Sequence, residues 1–561
     1  MIAQSARTRV RQYIDRIYTD LDEPALDGLA ERILKAVDVV DDGQASKTHG
    51  LPGSDEVVLI TYGDTFTDEL QPHLQSLRSV WDDHLAQVFS TVHVLPFFPS
   101  SSDGGFAVVD YRVIAEELGD WSDLASAVGD GRLMIDLICN HGSAQSEWFV
   151  QFLNDAAPGR GYYLTADPQA DLSMVTRPRT HPLLREVETT AGTRHVWATF
   201  SHDQIDFDFS NPDVLVEFCS ILGFYLSQGA TRIRLDAIAY LWKQIGTRCI
   251  HLPETHQIVK LMRTLVELRD TTTLLITETN VPHGDNTSYF GAGDEAHVVY
   301  NFTLAPLIVW TLITGQADTL TSWLGRLDPA PVGCTFLNFI ASHDGLGLRP
   351  IEDLISPTEL EPMIDAALEV GGSFSAYSAP GGPRPYELNV SLADLLAGVD
   401  GETAQRFVLA HALMLAVQGI PAIYVHSMLV SPGEVQAATE SGHKRDINRG
   451  KVTVEQANQR LTAGWRADVF HQLAALIQRR RAQPAFAPEA AQLMHVVDDR
   501  IVAIERRCEE QVIFALHNVS GESVTVTVPD VFGVDDLITG ERVKRMLTLD
   551  PWRAAWLTTC S

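Results

Sequence analysis

Carboxyl groups stand at the ends of apolar stretches in this sequence. Asp236 closes the alternating run Thr231-Arg232-Ile233-Arg234-Leu235-Asp236-Ala237, a pattern typical of a buried strand. An unpaired charge buried there would cost several kcal/mol, so Asp236 needs a partner or a chemical role. Arg234 lies on the same face of the strand, because side chains alternate with a period of two. A purely structural salt bridge between the two is the alternative.

Three further apolar stretches end in a polar or acidic group. They close with Asp136-Leu137-Ile138-Cys139-Asn140-His141, with Glu278, and with His343-Asp344. In a barrel of eight parallel strands, the C-terminal strand ends form one face, and active sites are built there. The sequence therefore predicts that these side chains meet in one site.

Eight apolar segments alternate with helical patterns along the middle of the chain. They cover residues 57–62, 92–97, 133–138, 233–237, 274–278, 298–302, 336–341 and 422–425. Continuously apolar strands separated by helices are typical of a parallel sheet with helices outside it. Eight such units predict an α/β fold, a (β/α)8 TIM barrel, which we expect to span residues 51–484 as the catalytic domain.

Other regions depart from plain strand–helix units. Residues 1–50 show two helical patterns and predict an N-terminal helical extension packed outside the barrel; a contact between two copies, as in a homodimer, is the alternative. The long connection after the third strand predicts an inserted subdomain at about residues 142–205. Residues 345–419 form a second long, glycine-containing connection. Short alternating segments predict a C-terminal antiparallel β-domain at residues 485–561.

Composition excludes several classes of function. The formal net charge is −31, which argues against binding nucleic acid or an anionic membrane surface. No apolar run is long enough to span a bilayer, and no secretory signal is visible. The six cysteines are scattered without a C-x-x-C motif, so we expect reduced thiols and a cytoplasmic protein.

Carboxyl groups at the strand ends could cleave a glycosidic bond with retention. One carboxylate attacks the anomeric carbon and a carboxylic acid protonates the leaving oxygen, with the two groups about 5–5.5 Å apart. We assign Asp236 as the nucleophile, held ionised by Arg234, and Glu278 as the acid/base, its pKa raised by an apolar strand end. Asp344 would grip sugar hydroxyls as a third carboxylate.

The order of these motifs resembles the α-amylase clan of glycoside-active enzymes. Three further motifs resemble its sucrose-phosphorylase-like branch: Ser101-Ser102-Asp103-Gly104-Gly105-Phe106, Arg177-Pro178-Arg179 and Arg445-Asp446-Ile447-Asn448-Arg449. The resemblance covers nearly the whole chain. It also matches Asn140 to a calcium ligand of many α-amylases, but this branch generally lacks the ion. We therefore predict no metal and expect Asn140 to brace the inserted segment.

The resemblance implies a pocket for one terminal glucose. In it, Asp103 and Arg445 clamp the far hydroxyls at the closed end, while Phe106 and Phe200 form apolar walls. His141 and His343 would bond the sugar hydroxyls, although each histidine alone is better explained as a core residue. Without the resemblance, Asp103 would be a turn residue and Arg445 part of a local ion pair.

The resemblance also implies a phosphorylase, in which phosphate rather than water attacks the glucosyl-enzyme and gives α-glucose 1-phosphate. Phosphate would be a co-substrate, and no cofactor is expected. Arg179 and Tyr240 match family positions that serve phosphate or the acceptor. Arg384, on the second long connection, is a further candidate, although a solvated loop charge is the simpler interpretation.

Two positions depart from sucrose phosphorylases. Asn280 stands where they carry histidine, and Glu387 follows Tyr386 where they carry glutamine. These residues, the Thr-Arg-Pro-Arg motif and the N-terminal extension look most like glucosylglycerate phosphorylases, which implies a sugar substrate that carries a carboxylate. Arg179, Arg384 or Lys243 would pair with that carboxylate. Glu387 would then contact an acceptor hydroxyl or an arginine.

The resemblance therefore implies reversible phosphorolysis of 2-O-α-glucosylglycerate to α-glucose 1-phosphate and glycerate. Alternatives within the class are phosphorylases of sucrose, sucrose 6-phosphate or glucosylglycerol. An α-glucosidase or transglucosidase would use the same double displacement. A catalytically silent carbohydrate-binding protein would lack Asp236 or Glu278, and both are present.

Overall fold

Eight parallel strands close into a barrel in the computed structural model, which describes residues 4–39, 50–177, 181–379, 382–398, 401–529 and 535–558. The barrel strands are β1 Val58–Thr61, β2 Thr91–Val94, β3 Arg132–Ile138, β4 Ala230–Asp236, β5 Leu274–Thr277, β6 Val298–Tyr300, β7 Thr335–Asn338 and β8 Ile420–Tyr424. Each strand pairs with the next, and β8 pairs with β1. All eight predicted strands are confirmed, and their side chains are almost entirely buried, as expected for a sheet covered by helices.

Helices surround the barrel and follow its strands. The principal ones are His73–Val80, Trp121–Val128, Pro212–Ser227, Pro253–Arg269, Leu304–Thr314, Asp318–Arg326, Ala404–Ala416, Val454–Thr462 and Gly464–Arg481. Local sequence sets where several begin. Asp120, for example, caps the helix at Trp121 by accepting the N–H groups of Ser122 and Asp123, and Asn211 caps the helix that starts at Pro212.

Two helices, Gln4–Ile17 and Glu23–Ala36, precede the barrel and pack against its outside. The first contacts the helix Pro253–Arg269 and the second contacts Pro212–Ser227. At Gly223 a Cβ atom would lie 2.5 Å from the carbonyl oxygen of Ala36, so this contact requires glycine. The expected packing of these helices on the barrel is therefore confirmed.

The segment between β3 and β4 adds short strands and a helix at the C-terminal face of the barrel. His141–Ser143 pairs with Gln204–Asp206, and a hairpin joins Leu184–Thr189 to Gly192–Trp197. The helix is Glu147–Leu153. This is the region predicted as an inserted subdomain.

The connection from β7 to β8 is more ordered than its glycines suggest. It holds the helices Pro357–Glu369 and Leu392–Ala397 and an antiparallel pair of strands, Ser373–Ala379 and Gly382–Asn389. A short strand directly after Asp344, Leu346–Gly347, pairs with the second of these. Backbone hydrogen bonds thus tie the hairpin to the start of the connection, next to Asp344.

The chain ends in antiparallel strands, as predicted. Five form one sheet, in the order Ala491–His495, Ile501–Arg507, Val512–Asn518, Ala554–Thr558 and Asp535–Asp536. A second sheet pairs Val524–Thr527 with Met546–Leu549. In the described part of the chain, no helix combines the length and apolar character needed to cross a membrane.

Two fully buried arginines join this region to the barrel. Arg480 donates to the carbonyl oxygens of Leu415, Gly419 and Phe486 at 2.9–3.1 Å. Arg506 donates to the carbonyl of Ala416 at 3.0 Å. Leu415 and Ala416 end the helix Ala404–Ala416, where carbonyls lack helical partners and attract positive charge.

Candidate active site

Arg234 links three acidic side chains at the C-terminal ends of neighbouring strands. Its Nη1 lies 3.2 Å from Asp236 Oδ1 and also forms an ion pair with Asp136 at the end of β3. Its Nη2 lies 4.0 Å from Oε2 of Glu278, which directly follows β5. The predicted shared face of Arg234 and Asp236 is confirmed, and Glu278 is brought to the same guanidinium.

The chain turns sharply after Asp236. Ala237 has a left-handed backbone conformation, with φ of 49° and ψ of 30°. Its N–H donates to Glu278 Oε2 at 3.1 Å. One oxygen of Glu278 is therefore fixed by the backbone that follows Asp236, which couples the positions of the two carboxyl groups.

Burial raises the pKa of both carboxyl groups. It raises the pKa of Asp236 well above the usual range, and the nearby Glu278 acts in the same direction against Arg234. The pKa of Glu278 is also raised by burial, as expected. Arg234 lowers the pKa of Asp236, in the expected direction, but burial outweighs that one positive charge. Asp236 lies closer to Arg234 than Glu278 does, at 3.2 Å against 4.0 Å.

Asp344, in the loop after β7, is surrounded by positive and neutral donors. Arg445 Nη1 lies 2.7 Å from its Oδ1, and Arg449 Nη2 and His343 Nε2 each lie 3.5 Å away. Burial by itself would raise the pKa of Asp344, but Arg445, His343 and Arg449 outweigh burial and hold this pKa well below its usual range. Asp344 is therefore ionised at neutral pH.

Asp103 lies opposite Asp344 across Arg449. Arg449 Nη2 is 3.8 Å from Asp103 Oδ1, and Gln204 Nε2 donates to Asp103 Oδ2 at 3.2 Å. Next to Asp103, a Cβ atom at Gly104 would lie 2.5 Å from Arg449 Nη1, so the turn must be glycine for Arg449 to fit. Arg445, which was expected to clamp the far glucose hydroxyls together with Asp103, contacts Asp344 and Glu387.

Aromatic rings and two histidines form the walls of the pocket. The ring of Phe106 stacks on His343 at 5.1 Å, and Phe200 packs against His141 at 5.0 Å and Tyr240 at 5.3 Å. Burial lowers the pKa of His141 to about 4 and that of His343 to about 3. Both imidazoles are therefore neutral at pH 7 and suited to hydrogen bonding with sugar hydroxyls.

One pocket collects most of the predicted site residues. It is lined by Asp103, Phe106, His141, Phe200, Arg234, Asp236, Tyr240, Glu278, Asn280, His343, Asp344, Tyr386 and Arg445, together with Gln204 and several backbone neighbours. Glu387 is 2% exposed and lies behind this wall, where both its oxygens bind Arg445. Glu387 was expected to contact either an acceptor hydroxyl or an arginine, and in the structure it binds an arginine.

Two of the proposed cations lie away from this pocket lining. Arg384 is exposed on the strand Gly382–Asn389, opposite Tyr377. Lys243 binds Asp206 and Asn140, so its ammonium is not free for a substrate carboxylate, and that expectation is wrong. Arg179 lies outside the described residues.

Comparison with known proteins connects this site to a family. A sequence profile described as the catalytic domain of alpha-amylase matches residues 85–322. The chain is 41% identical over 521 residues to a glucosylglycerate phosphorylase of Allomeiothermus silvanus, covering 91% of this chain and 93% of that protein. It is 38% identical over 562 residues to a glucosylglycerate phosphorylase of Escherichia coli, covering 98% and 100%. The chain belongs to the glucosylglycerate phosphorylase family. It is a glycoside phosphorylase enzyme with an α-amylase-type catalytic domain.

A solved structure supports the fold of this family member. The crystal structure of sucrose 6F-phosphate phosphorylase from Thermoanaerobacter thermosaccharolyticum aligns with a TM-score of 0.74 at 22% identity. The alignment covers 91% of this chain and all of that one. At that identity the likeness concerns the architecture, namely the barrel and the regions around it.

An ammonium group lies between β3 and the inserted segment of this phosphorylase. Lys243 Nζ is 2.6 Å from Asp206 Oδ2 and 2.8 Å from Asn140 Oδ1, and Asn140 also donates to Asp206. The predicted bracing of the inserted segment by Asn140 is thus confirmed. The chain itself supplies a positive charge at the position where Asn140 resembles a calcium ligand.

Three contributors to the site were not singled out by the sequence patterns: Arg449, Gln204 and Asp136 as a partner of Arg234. Arg449 had a visible signal, because it stands four residues after Arg445 in the same motif. Gln204 had none, because a glutamine in a poorly patterned insertion carries no chemical signature of its own.

Proposed function

We propose that this enzyme catalyses the reversible phosphorolysis of 2-O-α-glucosylglycerate to α-glucose 1-phosphate and glycerate, with net retention. The observation that carries the reaction is the placement of Asp236 and Glu278 on neighbouring strands, both within 4.0 Å of Arg234. The substrate is supported by the glucosylglycerate phosphorylases at 38–41% identity, against 28% for a sucrose phosphorylase of Agrobacterium vitis.

The first half of the reaction uses a proton on Glu278, whose pKa burial raises. Glu278 gives its proton to the glycosidic oxygen while the carboxylate of Asp236 attacks the anomeric carbon, and glycerate leaves with that proton. The raised pKa of Glu278 supports the acid role, and the ion pair of Asp236 with Arg234 at 3.2 Å supports the nucleophile role. Asp344, Asp103 and Arg449 would hold the glucosyl hydroxyls.

In the second half, phosphate is the nucleophile, whereas a hydrolase would use water. An oxygen of hydrogen phosphate attacks the anomeric carbon, Asp236 leaves as a carboxylate, and Glu278 recovers its proton from the phosphate. The products are then α-glucose 1-phosphate and the enzyme in its starting protonation state. Because the attack replaces a bond to Asp236, the configuration at the anomeric carbon returns to that of the substrate.

Both glycerate and phosphate are anions and need a free cation. The described arginines that line the pocket, Arg234 and Arg445, are already bound to acids. Arg177 has buried Nε and Nη2 atoms with no hydrogen-bond partner among the described residues. Its neighbour Thr176 bonds to Arg248, and His181 bonds to the carbonyl of the wall residue Phe200. We propose that Arg177 supports Arg179 in binding these anions.

A reduced compartment fits the cysteines. The five described cysteines are free, and four of them are buried. Thiols that persist without pairing are typical of cytosolic proteins, so we propose a cytoplasmic enzyme.

The test is release of glucose 1-phosphate from glucosylglycerate, sucrose, sucrose 6-phosphate and glucosylglycerol, with and without phosphate. We expect phosphate-dependent release from glucosylglycerate, and a loss of several orders of magnitude in D236N and E278Q. Release of glucose 1-phosphate from one of the other donors alone would reject glycerate as the acceptor. Free glucose formed regardless of phosphate would reject the phosphorylase assignment.

A further inference from the structure

Glu387 stands where sucrose phosphorylases carry glutamine, and its side chain is 2% exposed. Arg445 donates to both its oxygens, from Nε at 3.2 Å and from Nη2 at 2.7 Å. The remaining nitrogen, Nη1, lies 2.7 Å from Asp344 Oδ1. One guanidinium is therefore held between two carboxylates, with Glu387 behind it and Asp344 in front of it in the pocket.

The backbone around Asp344 is built to accept this arrangement. Gly347 pairs with Glu387 in the short antiparallel ladder, two residues beyond Gly345. A Cβ atom at Gly345 would lie 2.5 Å from Cγ of Glu387 and 2.5 Å from the carbonyl oxygen of Leu388. The strand that carries Glu387 thus crosses close to the residue after Asp344, and both ends of the Arg445 bridge are fixed to one another.

We propose that Glu387 is a positioning residue: it holds the guanidinium of Arg445 against Asp344 and does not itself contact the acceptor. A planar guanidinium bound at two atoms by a carboxylate cannot rotate away from its other partner. The inference deepens the proposed function, because it assigns the residue that departs from sucrose phosphorylases to control of a carboxylate at the glucosyl side of the pocket.

The arrangement also explains why Arg445 is not the cation that takes phosphate or glycerate. Its donors on both edges are already occupied by carboxylates. Replacing Glu387 by glutamine keeps the shape but leaves an amide that accepts one bond and turns its NH2 toward an N–H of Arg445. The variant therefore loses both the charge and the two-atom grip, and Arg445 gains positive charge without a partner.

The decisive experiment compares two donors in E387Q. The leaving group of α-glucosyl fluoride makes no acceptor contacts, and phosphate then clears the glucosyl-enzyme, so fluoride release at saturating phosphate does not depend on contacts with glycerate. We expect kcat for α-glucosyl fluoride and for glucosylglycerate to fall by the same factor, about ten- to a hundredfold, which is the range for a charge-assisted hydrogen bond. KM for phosphate is expected to decrease, because Arg445 is left with unpaired charge.

Normal fluoride release by E387Q combined with a loss confined to glucosylglycerate would overturn the proposal, since Glu387 would then act on the acceptor. The fluoride assay does not depend on which acceptor is natural, so failure of the glucosylglycerate assignment would leave it interpretable. The matched control is E352Q, because Glu352 accepts from Tyr377 on the same hairpin and has no described contact with Arg445. We expect it to keep both activities.

A second comparison removes the two-atom contact by changing Arg445 instead of Glu387. Lysine at position 445 keeps the charge but cannot bind a carboxylate at two atoms. If Glu387 acts through Arg445, adding E387Q to R445K changes fluoride release by less than about twofold, because the interaction is already lost. If the fold-decrease in fluoride release of the double variant equals the product of the decreases in E387Q and R445K, Glu387 acts independently of Arg445 and the proposal is rejected.

Discussion

Lys243 Nζ and Asp206 Oδ2 are 2.6 Å apart, in an ion pair whose side chains are almost completely removed from solvent. Asp206 also accepts the N–H and the hydroxyl of Thr199. The pair joins the segment after the Asp236 strand to the inserted segment that carries Gln204 and Phe200. A single ammonium therefore holds together two walls of the same pocket.

Removing this ammonium should destabilise the enzyme strongly. Lys243→Met leaves Asp206 charged and buried without its counter-ion, and breaking a buried pair from one side costs about 3–5 kcal/mol. We expect a clear decrease in Tm by calorimetry or fluorescence. The control is Lys451→Met, because Lys451 pairs with Asp64 in a partly exposed ion pair, and we expect a change below about 1 kcal/mol. Equal effects of the two variants would contradict the structural role of Lys243.

Neutralising Asp236, the proposed nucleophile, should stabilise the fold. Because the folded state raises the pKa of Asp236, its ionisation opposes folding as pH rises from the unfolded value, about 4, through the folded one. Asp236→Asn removes that opposition, so at pH 7 we expect the variant to have a larger free energy of unfolding than the wild type. The gain should vanish below pH 4, where Asp236 is protonated in both states, as measured by urea unfolding across pH.

We expect the replacement of Asp344 to change stability in the opposite direction. Its pKa is held low, so its charge stabilises the fold above the unfolded pKa and this contribution is lost as pH falls through the folded value. Asp344→Asn should therefore destabilise the enzyme at pH 7, since Arg445 and Arg449 lose a counter-charge. The same urea series tests it. A gain in stability at pH 7 would show that burial, rather than the two arginines, determines the pKa of Asp344.

We expect Arg449 to matter as much for kcat/KM as Arg445, the arginine that precedes it in the motif. Arg449→Gln removes the charge between Asp103 and Asp344, and two weakened charged contacts correspond to about 3 kcal/mol, or about a hundredfold in kcat/KM. Because Asp103 and Asp344 belong to the glucosyl side, α-glucosyl fluoride and glucosylglycerate should be affected alike. An effect limited to phosphate binding would place Arg449 on the acceptor side instead.

Arg480 should contribute to stability and not to chemistry. It is fully buried and donates to four backbone carbonyls, which Arg480→Met would leave without a donor, so we expect a loss of about 3 kcal/mol or more. The kcat of the folded fraction should be unchanged. Arg479→Met, one residue earlier and exposed, is the control, with an expected change within about 0.5 kcal/mol. An intact Tm in Arg480→Met would contradict the prediction.

Much of the fold follows from local patterns. The eight barrel strands are visible because a strand buried on both faces must be apolar along its length, and each is found within a few residues of its expected position. The connection that holds Arg384 shows the limit of such patterns. Its glycines suggest a mobile loop, yet strands form there because the chain after Asp344 offers a ladder to pair with.

The sequence by itself determined which carboxyl groups are the candidates for the chemistry. Asp236, Glu278 and Asp344 are recognisable because a carboxyl group at the end of an apolar strand must face the open end of the barrel. Their presence at one pocket follows from strand order alone, since parallel strands bring their C-terminal ends together.

Only the tertiary structure decided how these groups are paired. Arg445 meets Glu387 across 58 residues of sequence, and Lys243 meets Asn140 across 103. Long charged side chains can reach many partners, and which partner they bind depends on loop paths that no local pattern encodes. The same applies to charge: a carboxyl group looks alike in sequence at positions 236 and 344, but burial raises the pKa of Asp236 while two arginines lower that of Asp344.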